Sequence, residues 1–235
     1  MTRSSTLAIV SLGLGLSLAT AAQAQSSFEG TVTLALLTPA DSVQSQSTIN
    51  LKGDKMEIEI DAGVQGIIKL YPDSKKHTMH IALMAMKQGR EVPLPPESVS
   101  DVKIDLKPNG KKQTVSGHAA EGYTLSIPQA DFVLWATSEL PENVRVAYGN
   151  ALPHMMQEDG NLIAAFHQLA AKKMVPIKIE IAPKGAPDQN AAIEFVKAEP
   201  KKLDGSLFEL PKEITFAPLP PPGGERPPGA EGAAH

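Results

Sequence analysis

Alternation of apolar and polar side chains constrains the fold of this chain more than any other feature. Between Met56 and Asp61, apolar residues alternate with acidic ones. A period of two places successive side chains on opposite faces of a strand, and strands with one polar face are typical of antiparallel sheets. The segment 28–137 is therefore predicted to be a meander of half-buried antiparallel strands. The same alternation recurs in the runs 79–83, 102–106 and 123–127.

Turn-forming sequences separate these runs at regular spacing. Gly53-Asp54 and Pro72-Asp73 both lie between strand-like segments. Asn109-Gly110 is a preferred pair for a two-residue hairpin, so it is predicted to join two neighbouring strands.

The period of the apolar residues becomes helical after Pro141, a residue type that commonly begins a helix. Two amphipathic helices are predicted, and Pro153 is expected to end or kink the first of them. Strands are predicted to return from Val175 to Lys197. The apolar stripes of the two helices are Val144, Ala147, Tyr148, Ala151 and Leu152, then Leu162, Ile163, Phe166, Leu169 and Ala170.

These elements together predict a mainly β protein with two helices. A sheet with one apolar face has to cover that face, and the two helices are the available cover. We therefore predict a curved antiparallel sheet, a half-barrel, whose concave side is covered by the helices. The interface between sheet and helices is the predicted place for an apolar cavity.

The N-terminal segment 1–24 has the features of a cleavable signal peptide. Arg3 precedes an apolar run from Leu7 to Leu18, and Ala22-Gln23-Ala24 is a small-x-small cleavage sequence. The apolar run is shorter than the ~20 residues of a membrane span. We predict cleavage after Ala24, a periplasmic or secreted location, and no membrane-spanning segment in the mature protein.

The mature chain is predicted to form one domain over residues 25–217, followed by a disordered tail over residues 218–235. Ten of the eighteen tail residues are proline or glycine, a composition that cannot bury enough apolar surface to fold. Pro218–Pro222 also has the composition of a polyproline docking ligand. An interaction protein that acts through this tail is therefore one alternative hypothesis.

The overall composition excludes several classes of function. The chain has no cysteine, which removes disulfides, thiolate metal sites and a cysteine nucleophile. Its formal net charge of −4 gives no basic face for nucleic acid. The sequence contains no Gly-x-Ser-x-Gly elbow, His-Glu-x-x-His, P-loop or dinucleotide motif. We therefore predict a monomeric protein without catalytic activity, cofactor or nucleic-acid partner.

Three segments of the chain resemble a bacterial exported family of unknown function. They are Phe28–Val32, then Ser116–Tyr123 followed by Phe132–Thr137, and Leu203–Pro211. That family is similar in strand order to the outer-membrane lipoprotein carrier (LolA-like) superfamily. The resemblance implies a half-barrel whose open side is plugged by helices, with an apolar cavity between them. Carriers of that superfamily hold lipid acyl chains in this cavity.

The principal hypothesis is a protein that binds an apolar small molecule, such as a lipid or acyl chain, between sheet and helices. Methionine adapts to irregular apolar shapes, so methionines near the helices and the central strands are included in the predicted lining. The predicted lining residues are Leu83, Met84, Met86, Leu125, Leu134, Met155, Leu162 and Phe166.

A metal-binding protein is the second hypothesis. Imidazole and thioether ligands suit copper(I), and one short segment holds both kinds of side chain. Strand geometry separates them, because residues at odd spacing point to opposite faces. The candidate ligands are His77, Met79, His80, Met84 and Met86.

Overall fold

The computed structural model describes residues 28–37, 43–94, 104–155 and 160–217. The predicted signal peptide and tail lie outside these ranges. Within them the chain forms twelve strands and two α-helices. In chain order these are β1 (Glu29–Leu37), β2 (Val43–Lys52), β3 (Lys55–Asp61), β4 (Ile67–Asp73), β5 (Thr78–Leu83), β6 (Gln88–Pro93), β7 (Lys107–Val115), β8 (His118–Ser126), β9 (Ala130–Thr137), α1 (Glu142–Met155), α2 (Gly160–Ala171), β10 (Val175–Pro183), β11 (Ala191–Pro200) and β12 (Thr215–Ala217).

The strands form one open, curved sheet in the order β12-β6-β5-β4-β3-β2-β1-β11-β10-β9-β8-β7. It consists of two antiparallel meanders, β1–β6 and β7–β11, which meet where β1 pairs with β11. The predicted mainly antiparallel sheet with two helices is therefore confirmed. The short strand β12 was not predicted, and it pairs in parallel with β6 at one edge of the sheet.

The concave face of the sheet is apolar, and both helices pack on it as predicted. Alternate residues of the central strands, among them Ile49, Ile58 and Met79, are completely or almost completely buried there. Tyr148 of α1 reaches this face, and its ring lies 5.5 Å from that of Phe195. Most buried helical side chains belong to the predicted stripes; Ala164 and Ala165 are buried in addition, and Ala170 of the predicted stripe is exposed.

The opposite face of β1–β4 carries buried polar residues instead. Thr31 Oγ1 donates to Asn50 Oδ1 over 2.9 Å, and Asn50 Nδ2 donates to Glu57 Oε2 over 2.7 Å. Lys69 Nζ lies 3.0 Å from Glu57 Oε1 and 2.9 Å from Glu59 Oε2. The Glu57 side chain is 0% exposed, although the alternation predicted a half-buried strand with one polar face.

Residues 203–217, which we call the C-terminal strap, continue over this second face. Lys52 Nζ donates to the carbonyl of Leu203 over 2.7 Å, and the Leu203 N–H donates to Glu29 Oε1 over 2.8 Å. Further along, Phe216 lies edge-on to His80 with ring centroids 5.2 Å apart. The half of the sheet formed by β1–β6 is therefore covered on the second face as well.

Glycine at position 89 makes room for the aromatic ring of the strap. A Cβ atom placed on Gly89 would overlap the Phe216 ring. Since Gly89 pairs with Phe216 in the parallel β6–β12 ladder, the missing side chain lets the ring lie directly on the edge strand. Tyr71, Ala82 and Ile214 form a small buried cluster beside it.

The prediction that Asn109-Gly110 forms a hairpin is wrong. Both residues belong to β7, where the β7–β8 register shifts between Pro108 and Lys112 and Gly110 adopts φ 73°. The glycine thus provides the positive φ at an irregularity within the strand. The turn that joins β7 to β8 is Ser116-Gly117, and both of its residues have positive φ, as a tight hairpin turn requires. Of the predicted strand 102–106, the described part, residues 104–106, has no regular structure.

Two prolines also behave differently from expectation. Strand β4 continues through Pro72 to Asp73, and the turn follows at residues 74–77, because Asp73 Oδ1 accepts from the N–H groups of Lys75 and Lys76. Helix α1 extends through Pro153 to Met155, so of the two predicted effects of this proline, an end to the helix before it is wrong, while a kink stays a prediction.

Candidate functional site

A cavity of about 900 Å³ lies between helices α1 and α2 and the turn that joins β4 to β5. Its base is the start of β10 with the two residues that precede this strand. The lining residues are Ser74, His77, Leu94, Glu142, Arg145, Val146, Gly149, Asn150, Leu152, Pro153, His154, Ile163, Phe166, His167, Ala170, Lys173, Met174, Val175 and Pro176.

Each helix presents one face to the cavity, and the two faces differ in character. Helix α2 contributes residues 163, 166, 167 and 170, a spacing that places them on one side of the helix. Three of these four are apolar. Helix α1 contributes a parallel stripe of residues 142, 145, 146, 149, 150 and 153, which includes a carboxylate, a guanidinium and an amide. The cavity therefore has one apolar wall and one polar wall.

The apolar wall continues from α2 into the main core. Leu94, Leu152, Phe166 and Val175 are buried members of that core and also line the cavity. On the side of α1, Val146 is an apolar residue that remains 48% exposed. A ligand that entered would therefore contact a continuous apolar surface on one side and reach polar groups on the other.

Two basic side chains that line the cavity have no carboxylate partner among the described residues. Arg145 Nη1 donates to the carbonyls of Ser138 and Leu140 over 3.3 and 3.4 Å. Lys173 follows the end of α2, and its N–H donates to the carbonyl of Ala170 over 2.8 Å. Within the described ranges, neither side chain has an acidic oxygen within 4.0 Å.

Three histidines, His77, His154 and His167, also belong to the lining. Burial lowers the pKa of His154, because a desolvated imidazole takes up a proton less readily. His77 adopts φ 50° in the β4–β5 turn. Among the described residues, no group of three or more His, Cys, Asp or Glu side chains is arranged to hold a metal ion.

The structure does not bring the eight predicted lining residues together. Phe166 lines the cavity. Met84 packs against the cluster of Tyr71, Ala82 and Ile214 on the opposite face of the sheet, and Met86 is 56% exposed in the β5–β6 turn. The remaining members are Leu125, Leu134 and Leu162, buried in the main core, Met155, packed against that core, and Leu83, half-buried on β5.

The alternative set of metal ligands is divided between separate places. Met79 is buried on the concave face, whereas the neighbouring His80 lies on the opposite face against Phe216. His80 Nε2 also lies 3.6 Å from Glu91 Oε2. His77 lines the cavity, and Met84 and Met86 lie near the β5–β6 turn at the other end of the strand. The odd spacing of these residues along a strand explains the separation.

Sequence reasoning missed the cavity face of α1. The predicted apolar stripe of this helix faces the core, and the cavity uses the adjacent stripe that contains Arg145, Gly149 and Asn150. A polar stripe on an amphipathic helix normally indicates a solvated face. Gly149 in the middle of a helix was the available signal, since glycine disfavours helix interiors and marks a place where space matters.

No helix in the described part of the chain is long and apolar enough to cross a membrane.

Comparison with known proteins identifies a family and some distant structural neighbours. Residues 28–214 match the family described as Domain of unknown function (DUF4412). A comparison with curated proteins finds no match. Solved structures that are similar include PNGF-II in a C2 crystal form, with 12% identity and a TM-score of 0.45 over 80% of this chain and 30% of that one. This chain thus spans about a third of the length of PNGF-II.

A LolA superfamily protein from Nitrosomonas europaea is another structural neighbour. It shares 9% identity with this chain at a TM-score of 0.33, and the match covers 80% of this chain and 91% of that one.

Proposed function

This chain belongs to the DUF4412 family, and we propose that its mature form is a periplasmic, non-enzymatic protein that binds an apolar chain of a lipid or acyl compound. The observation that carries the proposal is the cavity of about 900 Å³ between α1, α2 and the β4–β5 turn. Cavities that hold small ligands commonly have roughly 300–1,000 Å³ and mostly apolar walls with a few polar groups.

The energetic argument rests on the apolar wall formed by α2 and the core. Protein interiors are close-packed, whereas several apolar side chains that line this cavity keep surface in contact with solvent. A hydrocarbon chain that fills the space gains about 0.8 kcal/mol for each methylene group removed from water. Val146, Ala170 and Met174, lining residues whose side chains keep exposed surface, would supply these contacts.

The N-terminal sequence and the composition support the periplasmic part of the proposal. Residues 1–24 have the charge, apolar run and cleavage sequence of a signal peptide. The test is expression of the full chain in a Gram-negative host, followed by osmotic-shock fractionation and mass measurement. A periplasmic product that begins at Gln25 is expected, and an uncleaved or cytoplasmic product would contradict the assignment.

Ligand binding is tested with Nile red, a neutral apolar dye whose fluorescence rises in a dry environment. The mature chain is expected to bind the dye, and Gly149→Trp is expected to abolish binding because the indole would occupy the cavity. Gln168→Trp is the matched control, since residue 168 is exposed on α2 and outside the lining. Absence of dye binding, or equal binding by the two tryptophan variants, would contradict the proposal.

Chain-length dependence provides a second test of the same site. Octanol, nonanol and decanol are expected to displace Nile red with affinities that rise about fourfold for each added methylene group, the equivalent of about 0.8 kcal/mol. Displacement that does not depend on chain length would indicate a surface effect of the alcohols.

A further inference from the structure

We propose that the cavity selects an apolar chain that ends in an anionic head group, and that Arg145 and Lys173 bind this head. The anion is a carboxylate or a phosphate monoester, since both present oxygen atoms that accept hydrogen bonds from cations. This inference rests on the proposed function, because it names the class of ligand that the cavity holds.

The first argument is the charge of the cavity compared with that of the whole protein. The chain has a formal net charge of −4. Among the described residues that line the cavity, in contrast, Arg145 and Lys173 are basic and Glu142 is the one acid. A concave site whose walls have low polarisability concentrates the field of such charges, so the excess of positive charge favours an anionic ligand.

The second argument is that, among the described residues, these two cations form no ion pair whereas many lysines do. Nine lysines form ion pairs with carboxylates within 4.0 Å, and most of these pairs join neighbouring strands or turns. Arg145 and Lys173 have no such partner in the parts of the chain that the structure describes. Their charges therefore remain available to a bound molecule.

The third argument is the way in which Arg145 is held. Among the described residues, its side-chain hydrogen bonds both come from Nη1, which donates to the carbonyls of Ser138 and Leu140. These two bonds fix the guanidinium at the start of α1. A guanidinium carries five N–H donors, so the others remain for two oxygens of one anion.

The position of the cations relative to the apolar wall completes the argument. Arg145 belongs to the polar stripe of α1, and Lys173 is exposed just beyond α2. Phe166 and Ile163 are buried on the facing wall. An amphiphile can therefore place its hydrocarbon against α2 while its head remains near the cations at the more exposed side of the cavity.

The experiment compares ligands that share a ten-carbon chain and differ in the head group. Decanol, decanoate, decyl phosphate and decyltrimethylammonium are titrated against the mature chain carrying Nile red at neutral pH. We expect the anions to bind about tenfold more tightly than decanol, the equivalent of about 1.4 kcal/mol. Tighter binding of decyl phosphate would identify a phosphate head, and tighter binding of decanoate would identify a fatty acid.

Variants assign the preference to the two cations. Arg145→Gln combined with Lys173→Gln is expected to remove the preference for anions and to leave the affinity for decanol unchanged. Lys172→Gln is the matched control, because Lys172 lies 4.9 Å from the centre of the Tyr123 ring and does not line the cavity. If the double variant does not fold, Lys173→Gln alone is compared with Lys172→Gln, and a selective loss at residue 173 is expected.

The outcomes separate this inference from the proposed function. If no ten-carbon ligand displaces the dye and the dye itself does not bind, the proposed function fails. If decanol or decyltrimethylammonium binds as tightly as the anions, or if the anion preference survives in the double variant, the cavity binds apolar chains without selecting a head group and this inference is overturned.

Discussion

The two faces of the sheet are covered by different means. On the concave face, two helices cover apolar side chains and leave a cavity at one side. On the opposite face of β1–β6, the C-terminal strap runs beside a buried network of Thr31, Asn50, Glu57 and Lys69. The first face depends on non-directional contacts, whereas the second depends on a specific set of hydrogen bonds and charges.

This difference shows which face can adapt to a ligand. A buried ion pair tolerates little change, since removal of one partner leaves the other charge without compensation. Apolar contacts between helices and a sheet have no such requirement and can leave a space without an unsatisfied polar group. We therefore expect substitutions on the strap-covered face to be costly and substitutions that enter the cavity to be tolerated.

The largest effect is expected from Lys69→Met. Asn50 satisfies Glu57 Oε2, so Oε1 depends on Lys69 for its compensation. The pairs with Glu57 and Glu59 raise the pKa of Lys69, which keeps this lysine charged. Loss of the lysine is expected to lower the free energy of unfolding by about 3–5 kcal/mol, measured by urea denaturation.

Two further variants test whether the loss of stability comes from the unpaired charge of Glu57. Glu59→Gln removes the more exposed partner of Lys69 and is expected to cost at most about 1 kcal/mol. Glu57→Met together with Lys69→Met is expected to recover most of the stability, because no buried charge is left unpaired and the remaining Glu59 is partly exposed. A Lys69→Met protein as stable as the parent would refute the view that this face is held by charges.

The next largest effect is expected from Phe216→Ala in the strap. The ring lies on Gly89 and against His80, and its partial burial is worth roughly 1–2 kcal/mol. Hydrogen exchange of β12 and β6 is expected to accelerate, since the parallel pairing is only three residues long. Val196→Ala, at an exposed position of β11, is the control and should change neither quantity. Unchanged protection in Phe216→Ala would mean that the ring does not hold the strap.

A smaller effect of opposite sign is expected from Gly149→Ala in the cavity. The added Cβ would lie 3.7 Å from Val175 Cγ2, an ordinary contact. Since alanine favours a helix interior more than glycine, thermal unfolding should show a gain of about 0.5–1 kcal/mol. Ala151→Leu, at a fully buried position of the same helix, is expected to destabilise by about 1–3 kcal/mol. Equal destabilisation by both would show that no space exists beside α1.

The smallest effect is a dependence on pH through His154. Burial lowers its pKa below the ordinary value of about 6.5. The unfolded chain therefore binds a proton at a higher pH than the folded protein does, so the free energy of unfolding falls as the pH drops below about 6.5 and levels off below the folded pKa. His154→Leu should flatten this slope in a series of urea titrations. A slope that persists in the variant would assign the dependence to another group.

The alternation of apolar and polar residues predicts most of the sheet, because successive residues along each strand are alternately buried and less buried. Met56, Ile58 and Ile60 face the concave side, as their spacing indicates. The helix stripes that contain Tyr148 and Phe166 are core stripes for the same reason. In each of these elements, the period of the apolar residues matches that of a strand or a helix, and these residues pack against one surface, the main core.

The buried polar face was not predictable from such patterns. Glu57 alternates with apolar neighbours in the same way as a solvated residue. Its burial arises from partners on two adjacent strands, Asn50 and Lys69, which become neighbours only through the register of β2, β3 and β4. The cavity was not predictable from these patterns either, because it lies between two helices and a turn that are distant from each other in the sequence. The hairpin prediction at Asn109-Gly110 was wrong because this pair is compatible with an irregularity within a strand as well as with a hairpin turn.

The pairing of β1 with β11 has a consequence for the order of assembly. Gly30 finds its partner Pro200 only after nearly all of the described chain exists, and the same ladder joins the two meanders. Each meander contains mostly local contacts and can form early, whereas their union requires closure of a long loop and is expected to limit the folding rate. Before β1 pairs with β11, both are edge strands with unpaired backbone groups. During this interval, chaperones or other chains can bind to these edges.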